Sequence, residues 1–331
     1  MLRLPRFTYL QPTSVDDALH MKQDAGPEGM YVAGGTDLYP NMKRRHQEPK
    51  TVISLAGLDD LHHVTINPGE GTAIGAGTTL RDIETHTALG REHPVVAKAA
   101  ELIATPLLRN MGTVGGNLCL DTRCNYYNQS YEWRKCIDFC MKKDGEVCWV
   151  APSSPRCWAV SSTDLAPVMV ALDARYTLVG PGGDRQVAAG EFYHDDGIEY
   201  LTKRSEEILA EVRLPAANGW DATYWKLRRR GSFDFPVLGV AAWVLWDGDT
   251  VRDARVVLGG VASFPKLVAA SSEAIVGSDL NDDAIAASAQ AAFKPAKPMD
   301  NTDFGLAWRK EMTRHYVTGA LEELRHRHRG A

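Results

Sequence analysis

All six cysteines of this 331-residue chain, Cys119, Cys124, Cys136, Cys140, Cys148 and Cys157, fall in one short stretch, and the rest of the chain has none. Within that stretch aromatic, charged and cysteine residues alternate without a sustained helical or strand period, and residues 125–133 are polar and aromatic. An irregular loop of such length is uncommon inside a compact domain unless something orders it. Disulfides are the usual staple of small secreted chains that lack a core. This chain, 44% hydrophobic, can bury a sizeable core, and it opens on Met1-Leu2-Arg3-Leu4-Pro5-Arg6 without the apolar run of an export signal. The sequence therefore predicts a cytoplasmic protein whose cysteines bind a metal or a cluster.

A net charge of −5 gives no positive field that would gather nucleic acid or anionic lipid, so neither is expected as a partner. Charged residues and prolines interrupt every apolar run before the roughly 20 residues a bilayer demands. The length predicts about two domains. A strand, a helix over 15–25 opened by Thr13 or Ser14, and a strand over 30–33 form a small βαβ unit. Strands follow at 51–55, 63–66 and 72–75, and helices at 80–83 and 95–103, with Pro94 suited to a helix start. After the cysteine stretch come a helix over 164–172 and strands over 175–179 and 207–214. The linker Pro215-Ala216-Ala217-Asn218-Gly219 predicts a boundary. Beyond it, strands over 222–228, 237–246 and 251–259 suggest an antiparallel sheet, and helices over 282–293 and 303–325 close an α+β chain. Arg325-His326-Arg327-His328-Arg329 reads as a frayed tail, or else as a tail for a metal or an acidic partner.

Two glycine segments carry the chemistry. Val32-Ala33-Gly34-Gly35-Thr36-Asp37-Leu38 follows a predicted strand, and Asn110-Met111-Gly112-Thr113-Val114-Gly115-Gly116-Asn117 follows a predicted helix. Glycine lets backbone N–H groups approach an anion and adopt positive φ, and successive amides make a concave anion site. Each segment alone could be an ordinary tight turn. Neither has the Gly-x-Gly-x-x-Gly spacing of a nicotinamide site, so a diphosphate bridging both points to a flavin dinucleotide in a different fold.

In this order, Ala33-Gly34-Gly35-Thr36, the Gly-Thr-x-Gly-Gly-Asn string at 112–117 and Asp164-Leu165-Ala166-Pro167 resemble the FAD subunits of the molybdenum hydroxylases, the xanthine oxidase family. The likeness runs over nearly the whole chain and extends to Tyr224-x-Lys226-x3-Arg230-x3-Asp234. It implies a vanillyl-alcohol oxidase (PCMH) type FAD domain over 1–217 and a CO dehydrogenase flavoprotein-like C-terminal domain over 218–331. By the same resemblance FAD is contacted by Tyr31, Val32, Ala33, Gly34, Gly35, Thr36, Asp37 and Leu38, and by Gly112, Thr113, Val114, Gly115, Gly116 and Asn117. Asp164 would touch the adenosine or ribityl portion, Ile103 and Leu209 would pack on the cofactor, and Lys226 would face the flavin. Read from the residues alone, 226–230 is equally a solvated basic strand edge.

Most relatives pass within a few residues from Gly-Gly-Asn-Leu to Ser-x-x-Asp-Leu, whereas about forty residues separate Leu118 from Ser162 here. The insert, about 119–160, resembles that of the 4-hydroxybenzoyl-CoA reductase FAD subunit. The resemblance implies a 4Fe-4S cluster on Cys124, Cys140, Cys148 and Cys157, since soft thiolates suit iron-sulfur chemistry. The spacing C-x15-C-x7-C-x8-C by itself leaves structural zinc equally open. Cys119 and Cys136 are left over. The implied assembly is a dimer of heterotrimers with a large molybdopterin subunit and a small subunit carrying two 2Fe-2S clusters, fed by a ferredoxin-like donor. The rivals are the FAD subunit of a conventional hydroxylase that passes electrons outward, and a non-redox zinc protein.

Overall fold

The computed structural model describes residues 3–330; residues 1, 2 and 331, the outer ends of the two expected domains, lie outside it. Strands β1 (Thr8–Leu10), β2 (Gly29–Val32) and β3 (Thr51–Ser54) form a parallel sheet in the order β1-β3-β2. The helix Val15–Ala25 crosses between the first two strands. It starts where the Ser14 hydroxyl accepts from the Asp17 N–H at 3.0 Å, with Asp16 and Asp17 beside the positive end of the dipole, and stops at Gly26, whose φ is 55°. Its Ala18 and Leu19 pack with Ile53, Leu58, Leu61 and Ile208.

A second, antiparallel sheet runs β4-β5-β8-β6-β7, from β4 (Val64–Asn67), β5 (Gly71–Gly75), β6 (Arg175–Val179), β7 (Arg185–Ala188) and β8 (Ile208–Leu214). The outer strand β7 was not legible in advance, because Val187 is its one buried apolar side chain. Short helices fill the long excursion between β5 and β6. The third sheet, β12-β11-β10-β9, is antiparallel and comprises β9 (Trp220–Leu227), β10 (Leu238–Asp247), β11 (Thr250–Gly259) and β12 (Lys266–Leu267).

Strand β10 is buried on both faces, as its continuous apolar run dictates. Val240, Ala242 and Val244 face the helices Asp282–Phe293 and Leu306–Gly330, while Ala241 and Trp243 join a core that reaches back to Ile74 and Val212. The helix Leu165–Ala171, buried at every residue, sits in that shared core and touches β10 and β11. The second and third sheets thus share apolar interior.

Two expectations need correction. The cysteine stretch is not wholly irregular, for it contains the helix Tyr131–Cys136, started by Ser130 accepting from the Trp133 N–H at 3.3 Å. No apolar stripe announced it, because its fully buried side chain is that of Arg134. Nor is the basic C-terminus frayed: the last helix continues to Gly330. Arg325 donates to Asp282 at 2.6 Å, Arg327 to Asp221 at 3.0 Å and Arg329 to Asp279 at 2.9 Å, while His328 stacks on Trp246 with ring centres 3.9 Å apart. Asp221 lies in β9, whereas Asp279 and Asp282 lie at the start of the helix Asp282–Phe293, and cations also suit a helix C-terminus.

Arg309 fixes the last helix to the third sheet, donating to the carbonyls of Met299 at 2.9 Å, Val237 at 3.2 Å and Gly260 at 2.9 Å. Arg309→Ala leaves three carbonyls, two of them in buried hydrogen bonds, without that donor and opens a cavity. A loss of about 2–4 kcal/mol is expected, read from the midpoint of urea unfolding.

Candidate functional site

The two glycine segments meet backbone to backbone. A methyl group on Gly34 would overlap the Met111 carbonyl and lie 3.0 Å from the Gly112 nitrogen, so only glycine permits the contact. Gly35 has φ 69° and lies against the Tyr39 ring, again excluding a side chain. The second segment is held from behind: Val114 N–H donates to Thr78 O at 3.0 Å, Gly115 N–H to Ala76 O at 2.7 Å and Leu80 N–H to Gly112 O at 2.8 Å. Thr113 caps the helix Val114–Leu118 through its hydroxyl, which accepts from Gly116 N–H at 3.0 Å. The second segment is therefore a turn plus a short helix rather than a loop throughout. Among the described residues, no carbonyl accepts from the amides of Gly34, Gly35 or Thr36. Three free donors on a glycine turn, with the Thr36 hydroxyl beside them, fit an anionic diphosphate.

Asn117 carries the site onward, its amide oxygen accepting from Thr163 Oγ1 at 2.7 Å and Leu165 N–H at 3.2 Å. Next in the chain, Asp164 accepts from Tyr224 OH at 2.9 Å and Lys226 Nζ at 3.0 Å. The two charged side chains are 3% and 1% exposed, so 226 is not on a solvated strand edge. Burial pushes the Asp164 carboxyl up and the Lys226 ammonium down, each opposed by the partner's charge. Lys226 also donates to Leu102 O at 2.9 Å, and Arg109 to the neighbouring Ile103 O at 2.8 Å. Arg230 and Asp234 pair at the surface, 3.0 Å apart at the Arg230 Nε, in the loop carrying Phe233. Leu209 is in the core shared with Ile103.

Around a separate cavity lie Cys124, Cys140, Cys148 and Cys157, all buried and all free thiols. The cavity is small, about 10 Å³, with Tyr126, Tyr127, Met141, Lys142, Trp149 and Val150 in its wall. Cys136 lies at the exposed end of its helix and Cys119 packs against the central core, so neither joins the four. Burial pushes the Cys124 thiol up to about 12 and Cys157 up to about 11, although the Ala159 N–H donates to the Cys157 sulfur at 3.4 Å. Thiols so placed ionise only against a bound cation. Among the described residues no three His, Cys, Asp or Glu side chains converge closely enough to hold a metal ion.

Lys142 donates to Asp121 and Thr122, both at 2.8 Å, placing a cation beside the thiols. The insert docks on the first sheet's unit through Arg134, which donates to the carbonyls of Arg44 at 3.1 Å and Arg45 at 3.2 Å, and through His46, stacked 4.2 Å from Tyr127. Its neck closes where Arg123 and Val160 exchange backbone hydrogen bonds of 2.8 and 2.7 Å. Sequence reasoning missed Arg123, whose guanidinium pairs with Asp37 in the first glycine segment. No periodicity marks it.

With this geometry in place, the comparisons with known proteins fall into line. Residues 5–217 match the FAD binding domain of molybdopterin dehydrogenases, and residues 222–324 match the CO dehydrogenase flavoprotein C-terminal domain. The chain belongs to the family of FAD-binding medium subunits of the xanthine oxidase type molybdenum hydroxylases, and its fold is the PCMH-type FAD domain followed by that C-terminal domain. It is an FAD-binding oxidoreductase subunit.

It is 33% identical to the aldehyde oxidoreductase FAD-binding subunit of Escherichia coli, over 86% of this chain and 90% of that one. It is 28% identical to the carbon monoxide dehydrogenase medium chain of Hydrogenophaga pseudoflava, over 96% of each. A crystal structure of the cyanide-inactivated Cu,Mo-CO dehydrogenase superposes with a TM-score of 0.81 at 25% identity, covering 98% of this chain and 99% of the other. The family overturns the rival reading of the chain as a non-redox protein. Among the described residues, no helix is long and apolar enough to cross a membrane.

Gly34→Ala drives a methyl group into the Met111 carbonyl and parts the two glycine segments. Purified variant protein is expected to retain less than a tenth of the wild-type flavin after gel filtration, read from absorbance and released FAD. A second expectation concerns pH. Burial holds His46 down to about 4 from an ordinary 6.5. The docked neutral ring therefore adds stability that is complete above about pH 6.5, begins to be lost below it, and is gone once the pH has fallen through about 4. Hydrogen-exchange protection across residues 124–157, corrected for the intrinsic slowing of exchange in acid, is expected to fall as the pH drops over that window in the wild type and to change far less in His46→Gln.

Proposed function

We propose that this chain is the FAD- and 4Fe-4S-bearing electron-transfer subunit of a cytoplasmic, molybdenum-containing 4-hydroxybenzoyl-CoA reductase. The observation that carries the reading is the set of four buried thiols, Cys124, Cys140, Cys148 and Cys157, around one cavity. The Ala159 N–H aimed at Cys157 and the ammonium of Lys142 support it, because an amide donor and a nearby cation stabilise the negative charge of a thiolate-ligated cluster. The domain division at 217/218 belongs to the same proposal.

Within this reading the first two glycine segments hold the FAD diphosphate, while Asp164 and Lys226 stand at the next part of the cofactor with Tyr31, Ile103 and Leu209 among its walls. The Asp164–Lys226 pair, charge-matched and shielded from water, offers the site a fixed dipole rather than a free cation. FAD exchanges one or two electrons and so suits a relay between one-electron clusters and a two-electron reaction. The chain would receive electrons from a low-potential donor such as a ferredoxin and pass them to a small subunit with two 2Fe-2S clusters. On the large molybdopterin subunit, two electrons and two protons remove the para-hydroxyl as water. A dimer of such heterotrimers is the proposed assembly, in keeping with relatives named as medium chains.

A second reading is favoured by the relatives named for CO dehydrogenase and aldehyde oxidoreductase, in which this subunit carries electrons away from an oxidised substrate. One experiment separates them. The purified assembly, given reduced viologen and 4-hydroxybenzoyl-CoA, is expected to form benzoyl-CoA, and to contain per medium chain about four iron and four sulfide beyond those of the 2Fe-2S subunit. Absence of benzoyl-CoA rejects the reductase, and zinc in place of the extra iron rejects the cluster.

A further inference from the structure

Arg123 joins three parts of the molecule. It precedes Cys124, and its backbone is locked to Val160 at the neck of the insert. Its side chain is buried and leads to the first glycine segment, where one guanidinium nitrogen donates to Asp37 Oδ1 and another lies 3.4 Å from Asn41 Oδ1. Phe235, from the loop between β9 and β10, covers the guanidinium with its ring centre 4.7 Å away. Asn41 in turn donates to the other oxygen of Asp37 at 2.9 Å. Asp37 directly follows Thr36, the last of the residues whose amides are free for an anion.

A buried guanidinium released from its carboxylate leaves an unmatched charge, so this pair resists separation. The planar fork of arginine also sets the orientation of the carboxylate it grips, which a flexible ammonium does not. The orientation of Asp37 is thereby tied to the position of a cysteine that lines the thiol cavity. The opposite end of the same tie is the set of amides at Gly34, Gly35 and Thr36.

We propose that Arg123 is a positioning residue that couples occupancy of the thiol cavity to the affinity of the glycine segments for FAD. The inference rests on the cluster reading above. With the cavity filled, Cys124 is anchored, Arg123 is held against Asp37, and the first glycine segment keeps the conformation that presents its amides. With it empty, the neck of the insert loosens and the grip on Asp37 weakens. Because coupling between two sites is reciprocal, bound FAD must equally strengthen retention of the cluster.

The test uses the full chain in its assembly and measures the FAD dissociation constant by flavin fluorescence, alongside iron content, before and after iron is stripped by a chelator under mild oxidation. In the wild type, stripping is expected to weaken FAD binding about tenfold or more. In Arg123→Met, FAD binding is expected to be weakened by about as much with the iron content unchanged, and stripping to add less than about twofold. A purely structural role would lower iron and flavin together and would leave the effect of stripping intact. Unchanged FAD affinity in Arg123→Met, or equal weakening on stripping in variant and wild type, overturns the proposal. Should Arg123→Met not fold, Arg123→Lys, which keeps the charge and loses the planar fork, gives the same two arms. A wild-type assembly with flavin but no extra iron removes the cluster reading and the coupling together, whereas iron present without coupling removes only the latter.

Discussion

The organisation of this subunit depends on the contact between Gly34 and the Met111–Gly112 peptide, where two strand-and-helix units press main chain on main chain. The contact brings the free amides of the parallel three-stranded unit to the edge of the larger antiparallel one. Everything downstream is arranged from that edge: Asn117 fixes Thr163, the next residue Asp164 meets Tyr224 and Lys226, and β9 is thereby bound to the site. A subunit assembled in this way uses short polar links where the glycine segments meet β9 and leaves bulk stability to the apolar core behind.

That core explains why the site can be polar. Leu165–Ala171 is wholly buried between the five-stranded sheet and β10–β11, so Asp164 at its start is held by an element that cannot shift without disturbing both. Burying a carboxylate and an ammonium together is expensive in a low-dielectric interior unless each also finds other partners. Asp164 has Tyr224 and Lys226 has Leu102 O, which satisfies that condition. Rigid support and full hydrogen bonding together keep an ion pair dry without a conformational search.

How much of this was legible in the sequence varied with the range of the interaction. The start of the first helix was readable because Ser14 caps it from three residues away, and β10 because its apolar run is uninterrupted. Glycines at 34, 112 and 115 signalled close approach, but not what approaches them. The pairing of Arg123 with Asp37, 86 residues apart, is a product of the tertiary fold and leaves no trace in spacing. Lys226 belongs to a run of basic residues that locally resembles a solvent-facing edge, and only its partner at 164 reveals that it is interior. The basic C-terminus was misread for the same reason: Asp221, Asp279 and Asp282, which hold it in a helix, lie far away in sequence. The four cysteines stood out through resemblance to a family, since their spacing alone fits more than one metal chemistry.

The reciprocal hydrogen bonds of Arg123 and Val160 make the entrance and exit of the cysteine segment immediate neighbours. A segment whose two ends meet can be added to or deleted from a scaffold with little displacement of the strands and helices on either side, much as a bead is threaded at a knot. Chains of one architecture can consequently differ by a whole cysteine-lined segment without a change in the order of the strands and helices around it.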